Sequence, residues 1–219
     1  MLNEAASIAR SLEAIRIGAS DAQIIVVDGG SIDASIEAAR PHCDLVIGAS
    51  RGRALQMNAG AARASGDTLV FVHADTMVPT TFARDIEAAL ANPEVVGGRF
   101  DVRLDDPHPM CRLIGAMIGL RSRISRTGTG DQAIFVRKRI FDALGGFPDL
   151  PICEDLDFAR RLKRVGRIAC LRSKVVTSAR RWRKSGIMRT ILRMWTIRLL
   201  YLAGVSPMRL ARMYADVRT

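Results

Sequence analysis

Two aspartates stand where a ligand would be handled. Asp28 ends the apolar, β-branched run Gln23–Asp28 and enters the turn Asp28-Gly29-Gly30-Ser31, while Asp75 closes His73-Ala74-Asp75 just after the run Thr68–Val72. Both runs read as short strands, and in an open α/β sheet ligands bind at the carboxyl ends of strands. Two carboxylates there need a cation, a sugar hydroxyl or a base N–H, because an unpaired buried charge is costly. Asp28 alone is accounted for equally well as a helix cap; the pair favours a ligand. Glu154-Asp155 forms a second acidic pair, opening a helix that runs through Leu156–Val165. At a helix N-terminus the macrodipole keeps a carboxylate ionised. Arg53 follows Gly52 at another helix start, where guanidinium and backbone N–H groups can both meet phosphate.

The elements that position these residues alternate. After the Gly-rich turn, Ser31 or Asp33 is placed to cap a helix through Arg40, and Asp44–Gly48 is the next strand. Arg53–Ala64 is an Ala-rich helix closed by Ser65-Gly66, and Pro79 opens a helix to Ala91. This spacing predicts βαβ units: an α/β domain with a mostly parallel sheet and helices on both faces. The domain covers residues 1–183, and residues 184–219 form a basic, amphipathic helical extension.

The 219 residues carry a net charge of +11, unevenly. Residues 1–159 hold 16 Lys+Arg against 21 Asp+Glu, whereas residues 160–219 hold 17 against Asp216 alone. So basic a tail suits an anionic partner: nucleic acid, an anionic membrane surface or a phosphorylated substrate. A solvated Arg-rich face is the plainer account, since only four of the 33 basic residues are Lys. The four cysteines form no CxxC pair, which argues against a zinc ribbon or disulfide framework. No signal-like leader or membrane-length apolar run is present, so the expected location is the cytoplasm, with the inner face of the plasma membrane as the alternative.

The motifs resemble glycosyltransferase family 2, whose members have the GT-A nucleotide-sugar fold. Asn3-Glu4 is similar to the family's "NE", Val27–Asp33 to its VDDGSxD turn, and Asn58-Ala59-Gly60 with Ser65-Gly66-Asp67 to its NxG…xGD segment. His73-Ala74-Asp75 stands for Asp-x-Asp, Gly128–Arg137 for the acceptor-side strand, Glu154-Asp155 for the ED motif and Arg181-Trp182 for the end of QxxRW. The wording GRALQMNAG and GTGDQAIF further resembles a bacterial subgroup of small, single-domain members. Three departures stand out: Gly29 for the second Asp of VDDGS, His73 for the first Asp of Asp-x-Asp, and Ser178 for the Gln of QxxRW. The last puts processive synthesis in doubt.

The resemblance implies transfer of a sugar from a nucleoside diphosphate sugar, UDP slightly favoured, to an acceptor that the sequence does not identify. Asp28 and Glu4 then hold the nucleoside and Arg53 the phosphates. Asp75 ligates Mg²⁺ or Mn²⁺ bridging the diphosphate, with His73 a second ligand or a hydrogen-bond partner of Asp75. Asp155, beside Glu154, is the general base of an inverting single displacement. Asp131 orients the acceptor, and Arg181 and Trp182 close the diphosphate side, the indole offering a stacking face. Family members also place an apolar strand before the Asn-Glu, in mid-sheet, so the expectation here is a truncated first strand and a true start about ten residues upstream.

Within the extension, Ile187–Val205 is apolar but broken by Arg189, Arg193 and Arg198, and a shorter helix follows Pro207 with Arg209, Arg212 and Arg218. It is read either as packing on the enzyme's own sheet or across a homodimer, or as an interfacial helix on anionic lipid near a lipid-linked acceptor, with Trp195 and Tyr201 at headgroup depth. Two rival functions remain. A nucleotidyltransferase would use the same turn and carboxylates but leaves Glu154-Asp155 and Arg181-Trp182 unexplained. A nucleic-acid-binding protein would use the tail, but no stacking or helix-turn-helix pattern supports it, and nucleic acid is not expected as a partner.

Overall fold

The computed structural model describes residues 1–215; Asp216 and Arg218 lie outside the described residues. In chain order the elements are α1 (Ile8–Gly18), β1 (Ile25–Asp28), α2 (Ser35–Ala39), β2 (Leu45–Gly48), α3 (Arg53–Arg63), β3 (Thr68–Phe71), β4 (Thr76–Met77), α4 (Phe82–Leu90) and β5 (Val95–Leu104). There follow α5 (Pro109–Ser125), β6 (Ile134–Arg137), α6 (Lys138–Ala143), α7 (Glu154–Val165), β7 (Arg167–Thr177), α8 (Arg180–Ser185), α9 (Ile187–Leu202) and α10 (Pro207–Ala215).

The expected α/β class holds, but the sheet is mixed rather than mostly parallel. Parallel pairing is confined to β1–β2 and β5–β7, while β6 runs antiparallel to both β3 and β5, and β4 antiparallel to β7. The parallel expectation treats each helix as a crossover. Instead α5 lies along β5, so close that a Cβ on Gly115 would stand 2.8 Å from the Val102 carbonyl oxygen. The chain then re-enters the sheet in the opposite sense as β6. Two apolar clusters cover the faces: one joins Phe141, Phe147, Phe158 and Leu162 to Val136, the other Phe82 and Ile86 to Phe100, Phe135 and Val175.

The sheet is split. β1 and β2 form one ladder and β3-β6-β5-β7-β4 another. Between β1 and β3 runs a cavity of about 460 Å³ lined by Ile24–Val27 on one wall and Leu69–Val72 on the other. Met1 sits at its mouth. Its amino group donates to the Val27 carbonyl, and its own carbonyl accepts from the Gly29 N–H at 3.0 Å and from Gln56 Nε2 at 2.9 Å. The two backbone bonds follow the pattern of a parallel bridge to Asp28. Burial lowers the pKa of the Met1 ammonium.

The C-terminal helices pack on the rest of the chain. Ile197 and Leu210 join Cys153 and Leu156 in one apolar cluster, while Ile187 and Ile191 pack against Cys111 and Ile114 of α5. Arg198 faces inward and donates to Thr127 Oγ1 at 3.0 Å; it is not one of a purely solvent-facing set. Among the described residues no helix is long and apolar enough to cross a membrane.

The cavity gives a stability prediction. An added apolar strand of about six residues ahead of Met1, parallel to β1, should pair the inner edges of β1 and β3 and raise the melting temperature. An unchanged melting temperature by calorimetry would show that these edges gain nothing from pairing.

Candidate active site

The loops after β1, β3 and α5 and the start of α7 converge at one end of this cavity, which His73, Gly130, Glu154 and Asp155 line. Cys153 precedes α7 with φ +67°, a left-handed conformation that is uncommon for a residue other than Gly. It turns the chain so that Glu154 and Asp155 open the helix. Glu154 is buried at 3% exposure with Arg53 Nη1 3.8 Å from its carboxylate. The start of α3 is thereby tied to the start of α7.

Asp155 accepts from the Gly130 N–H at 2.8 Å through Oδ2 and from its neighbour Leu156 N–H at 2.6 Å through Oδ1. Burial nonetheless pushes its carboxyl above the usual range, partly offset by the Gly130 bond. His73 faces the same glycine: a Cβ on Gly130 would stand 2.4 Å from His73 Nε2. Burial, aided by the Arg53 charge, lowers the His73 pKa to about 4, so the imidazole is neutral near pH 7. The expected pairing of His73 with Asp75 is not made among the described residues; the ring turns to the Gly130 side because that glycine leaves room for it. Asp131 accepts from the Thr129 hydroxyl.

Asp75 belongs to a different group. Burial first, then the negative charge of Glu4, raises its pKa, while Arg180 opposes them. Arg180 Nη2 lies 2.6 Å from Glu4 Oε1 and 3.8 Å from Asp75 Oδ2. A carboxylate held near a second carboxylate favours a nearby cation, so Asp75 with Glu4 suits a hard divalent ion completed by oxygens from a bound diphosphate. No group of three or more His, Cys, Asp or Glu side chains that could hold a metal ion occurs among the described residues.

Asp28 is 5% exposed and closes its own turn: Oδ2 accepts from the N–H groups of Gly30 and Ser31, both at 2.9 Å, and Oδ1 from the Ser31 hydroxyl. Burial alone would raise its pKa, but the bonds from Ser31 and Gly30 outweigh it and hold the carboxyl below the usual range. The expected Ser31 or Asp33 cap is displaced, since α2 starts at Ser35, whose N–H donates to Asp33. Trp182 is half-buried and packs on the cluster of Leu104, Cys111 and Ile114, which ties α8 to α5. Arg181 acts electrostatically on both His73 and Asp75. Sequence reading missed Arg180, although it adjoins the Arg181-Trp182 motif, and missed Arg121 and Arg198, for which no motif exists.

The architecture is that of GT-A glycosyltransferases. A mannosyltransferase from Pyrobaculum calidifontis, solved with GDP-Man and Mn²⁺, superposes with TM-score 0.65 at 21% identity, over 90% of this chain and 58% of that one. TarS from S. aureus gives 0.66 at 18%, over 91% and 63%. Glucosyl-3-phosphoglycerate synthase from Mycobacterium tuberculosis, with Mn²⁺, UDP and glucosyl-3-phosphoglycerate, gives 0.64 at 19%, over 94% and 78%. The chain thus spans about three-fifths of the first two. No curated protein sequence matches significantly. Residues 1–144 match Glycosyl transferase family 2, and the chain belongs to that family.

The contact between His73 and Gly130 is a sharp test of this geometry. Gly130→Ala should destabilise the fold by about 1–3 kcal/mol through overpacking. Denaturant unfolding that matches the wild type would mean that the imidazole is free to move aside.

Proposed function

We propose that the protein transfers a sugar from a nucleoside diphosphate sugar, UDP slightly favoured, to an acceptor hydroxyl with inversion. The observation that carries this reading is Asp155, a half-buried carboxylate of raised pKa that lines the cavity with His73 and Glu154 and accepts from the Gly130 N–H. Asp28 and Glu4 hold the nucleoside; Asp28 Oδ1 keeps acceptor capacity beyond its bond from Ser31. Arg53 and Arg181 bind the diphosphate. Asp75 would hold Mg²⁺ or Mn²⁺, a Lewis acid that would offset charge on the diphosphate. The neutral His73 does not serve as a ligand in this reading; it packs against Gly130 and keeps the loop in place.

Asp155 takes the acceptor proton as the acceptor oxygen attacks the anomeric carbon opposite the diphosphate, and Asp131 orients the acceptor. A base of raised pKa near the working pH performs that transfer well. The Gly130 N–H steadies the carboxylate in its ionised form. The raised pKa also sets the acid limb. The ionised base is needed, so activity falls as pH drops through a value above the ordinary 3.8 of an aspartate.

The helical extension supports an anionic membrane surface as partner and a lipid-linked acceptor. Met188, Leu192, Trp195, Leu199 and Leu202 form an exposed stripe along α9, and Leu113, Met117, Leu120 and Ile124 form another along α5. Neither helix contains an acidic residue, which disfavours a homodimer through this face and suits anionic lipid. Residues 1–183 and 184–219 then act together, the former catalysing and the latter docking.

Three outcomes are expected. Asp155→Asn should abolish transfer while nucleotide binding persists; substantial transfer would place the base elsewhere. Asp75→Ala should remove the Mn²⁺ dependence of UDP or GDP binding in calorimetry, and CTP binding better than either diphosphate would favour nucleotidyl transfer instead. Flotation with anionic vesicles should weaken with salt and be lost on removing residues after Lys184, whereas indifference to lipid charge leaves packing as the role of α9.

A further inference from the structure

Two arginines from different helices meet beside the proposed base without an acidic partner. Arg198 of α9 reaches Thr127 Oγ1 at 3.0 Å, and Arg121 of α5 approaches Thr129 Oγ1 at 3.5 Å. Thr127 is buried, and its hydroxyl also meets Ser125 Oγ at 2.7 Å, so the anchor of Arg198 is fixed. Gly130, which follows Thr129, carries the N–H that binds Asp155. The two cations therefore flank the segment that holds the carboxylate.

Their charge is poorly compensated. Arg99 shares Asp101 with Arg123, but neither Arg121 nor Arg198 forms an ion pair among the described residues. Arg121 Nε is buried and has no hydrogen-bond partner. The nearby carboxylates are already engaged: Asp131 by the Thr129 hydroxyl, Asp155 by two backbone N–H groups. Burial, then the neighbouring Arg121, lowers the Arg198 pKa to about 10; burial lowers that of Arg121 against the pull of Asp131 and Asp155. Two half-buried guanidiniums thus stand together with no ion pair among the described residues and only the more distant pull of Asp131 and Asp155, an arrangement that an added anion would relieve.

We propose that the acceptor carries an oxyanion, a phosphate or carboxylate, which binds between Arg121 and Arg198 and presents the acceptor hydroxyl to Asp155. Guanidinium forks suit such groups, and the unpartnered Nε supplies a donor. The donor diphosphate is a poorer occupant. Arg53 and Arg181 act on His73, and Arg53, which pairs with Glu154, acts on Asp155 as well; Arg198 and Arg121 are set apart by their contacts to Thr127 and Thr129. The inference names the acceptor class for the transferase reading and rests on it, and it makes α9 part of the active site.

The test uses sn-glycerol 3-phosphate as the probe and glycerol as its neutral control, titrated calorimetrically into the full chain with saturating UDP and Mn²⁺. Wild type should bind the phosphate and not glycerol. Arg198→Gln and Arg121→Gln should each weaken binding by about tenfold or more, while UDP affinity stays unchanged. Arg198→Lys, which keeps the charge, should retain part of the affinity and carries the test if Arg198→Gln melts early. Displacement of the probe by phosphatidic acid vesicles assigns the oxyanion to a lipid; failure to displace it assigns the oxyanion to a soluble acceptor. Equal binding by wild type and both Gln variants, or equal binding of glycerol, overturns the proposal. Loss of UDP binding in wild type would instead count against the transferase reading, since the probe titration without UDP reads the arginine pair alone.

Discussion

The hydrogen bond from the Gly130 N–H to Asp155 Oδ2 joins segments 25 residues apart and fixes the geometry around it. One partner sits in the loop that leaves α5, the other at the first turn of α7. A Cβ there would stand 2.4 Å from His73 Nε2, so any larger residue requires the imidazole to shift. The bond also sets the electrostatics. It is the one backbone contact that stabilises the ionised form of Asp155 from outside its own helix, against the burial that disfavours it. Losing it would leave a carboxylate that protonates more readily and points less surely.

Around that bond the arginines divide the labour. Arg53 reaches Glu154 from the start of α3, Arg180 spans Glu4 and Asp75, and Arg121 and Arg198 stand beyond Asp155. Several elements distant in sequence are thus drawn to one place by charges of both signs. Glu4, Asp75 and Glu154 lie in the first three-quarters of the chain, while Arg180 comes from α8 and Arg198 from α9.

From β1 to α4 the local elements, β4 apart, were legible because strand runs, glycine turns and helix starts there follow ordinary patterns, whereas α1 was not read. Asp28, Asp75 and Glu154-Asp155 were found for the same reason, each sitting at the end of a strand or the start of a helix. The sheet direction was not legible. Whether a helix crosses over or folds back depends on packing such as that of Gly115 against β5, and no periodicity in α5 announces it. The packing of Trp182 on the Ile114 cluster was not legible either, because an arginine motif does not announce which apolar neighbours its indole meets. Arg121 and Arg198 escaped because their meaning lies in a meeting of two helices 77 residues apart.

Cys153 offers a different kind of consequence. Its thiol lies under Ile197 and Leu210, and burial raises its pKa to about 12, so under native conditions it is neither nucleophilic nor open to alkylation. Lifting α9 and α10 away would bare it. Its labelling rate is therefore a clock for the undocking of the C-terminal helices, set at the residue that precedes α7.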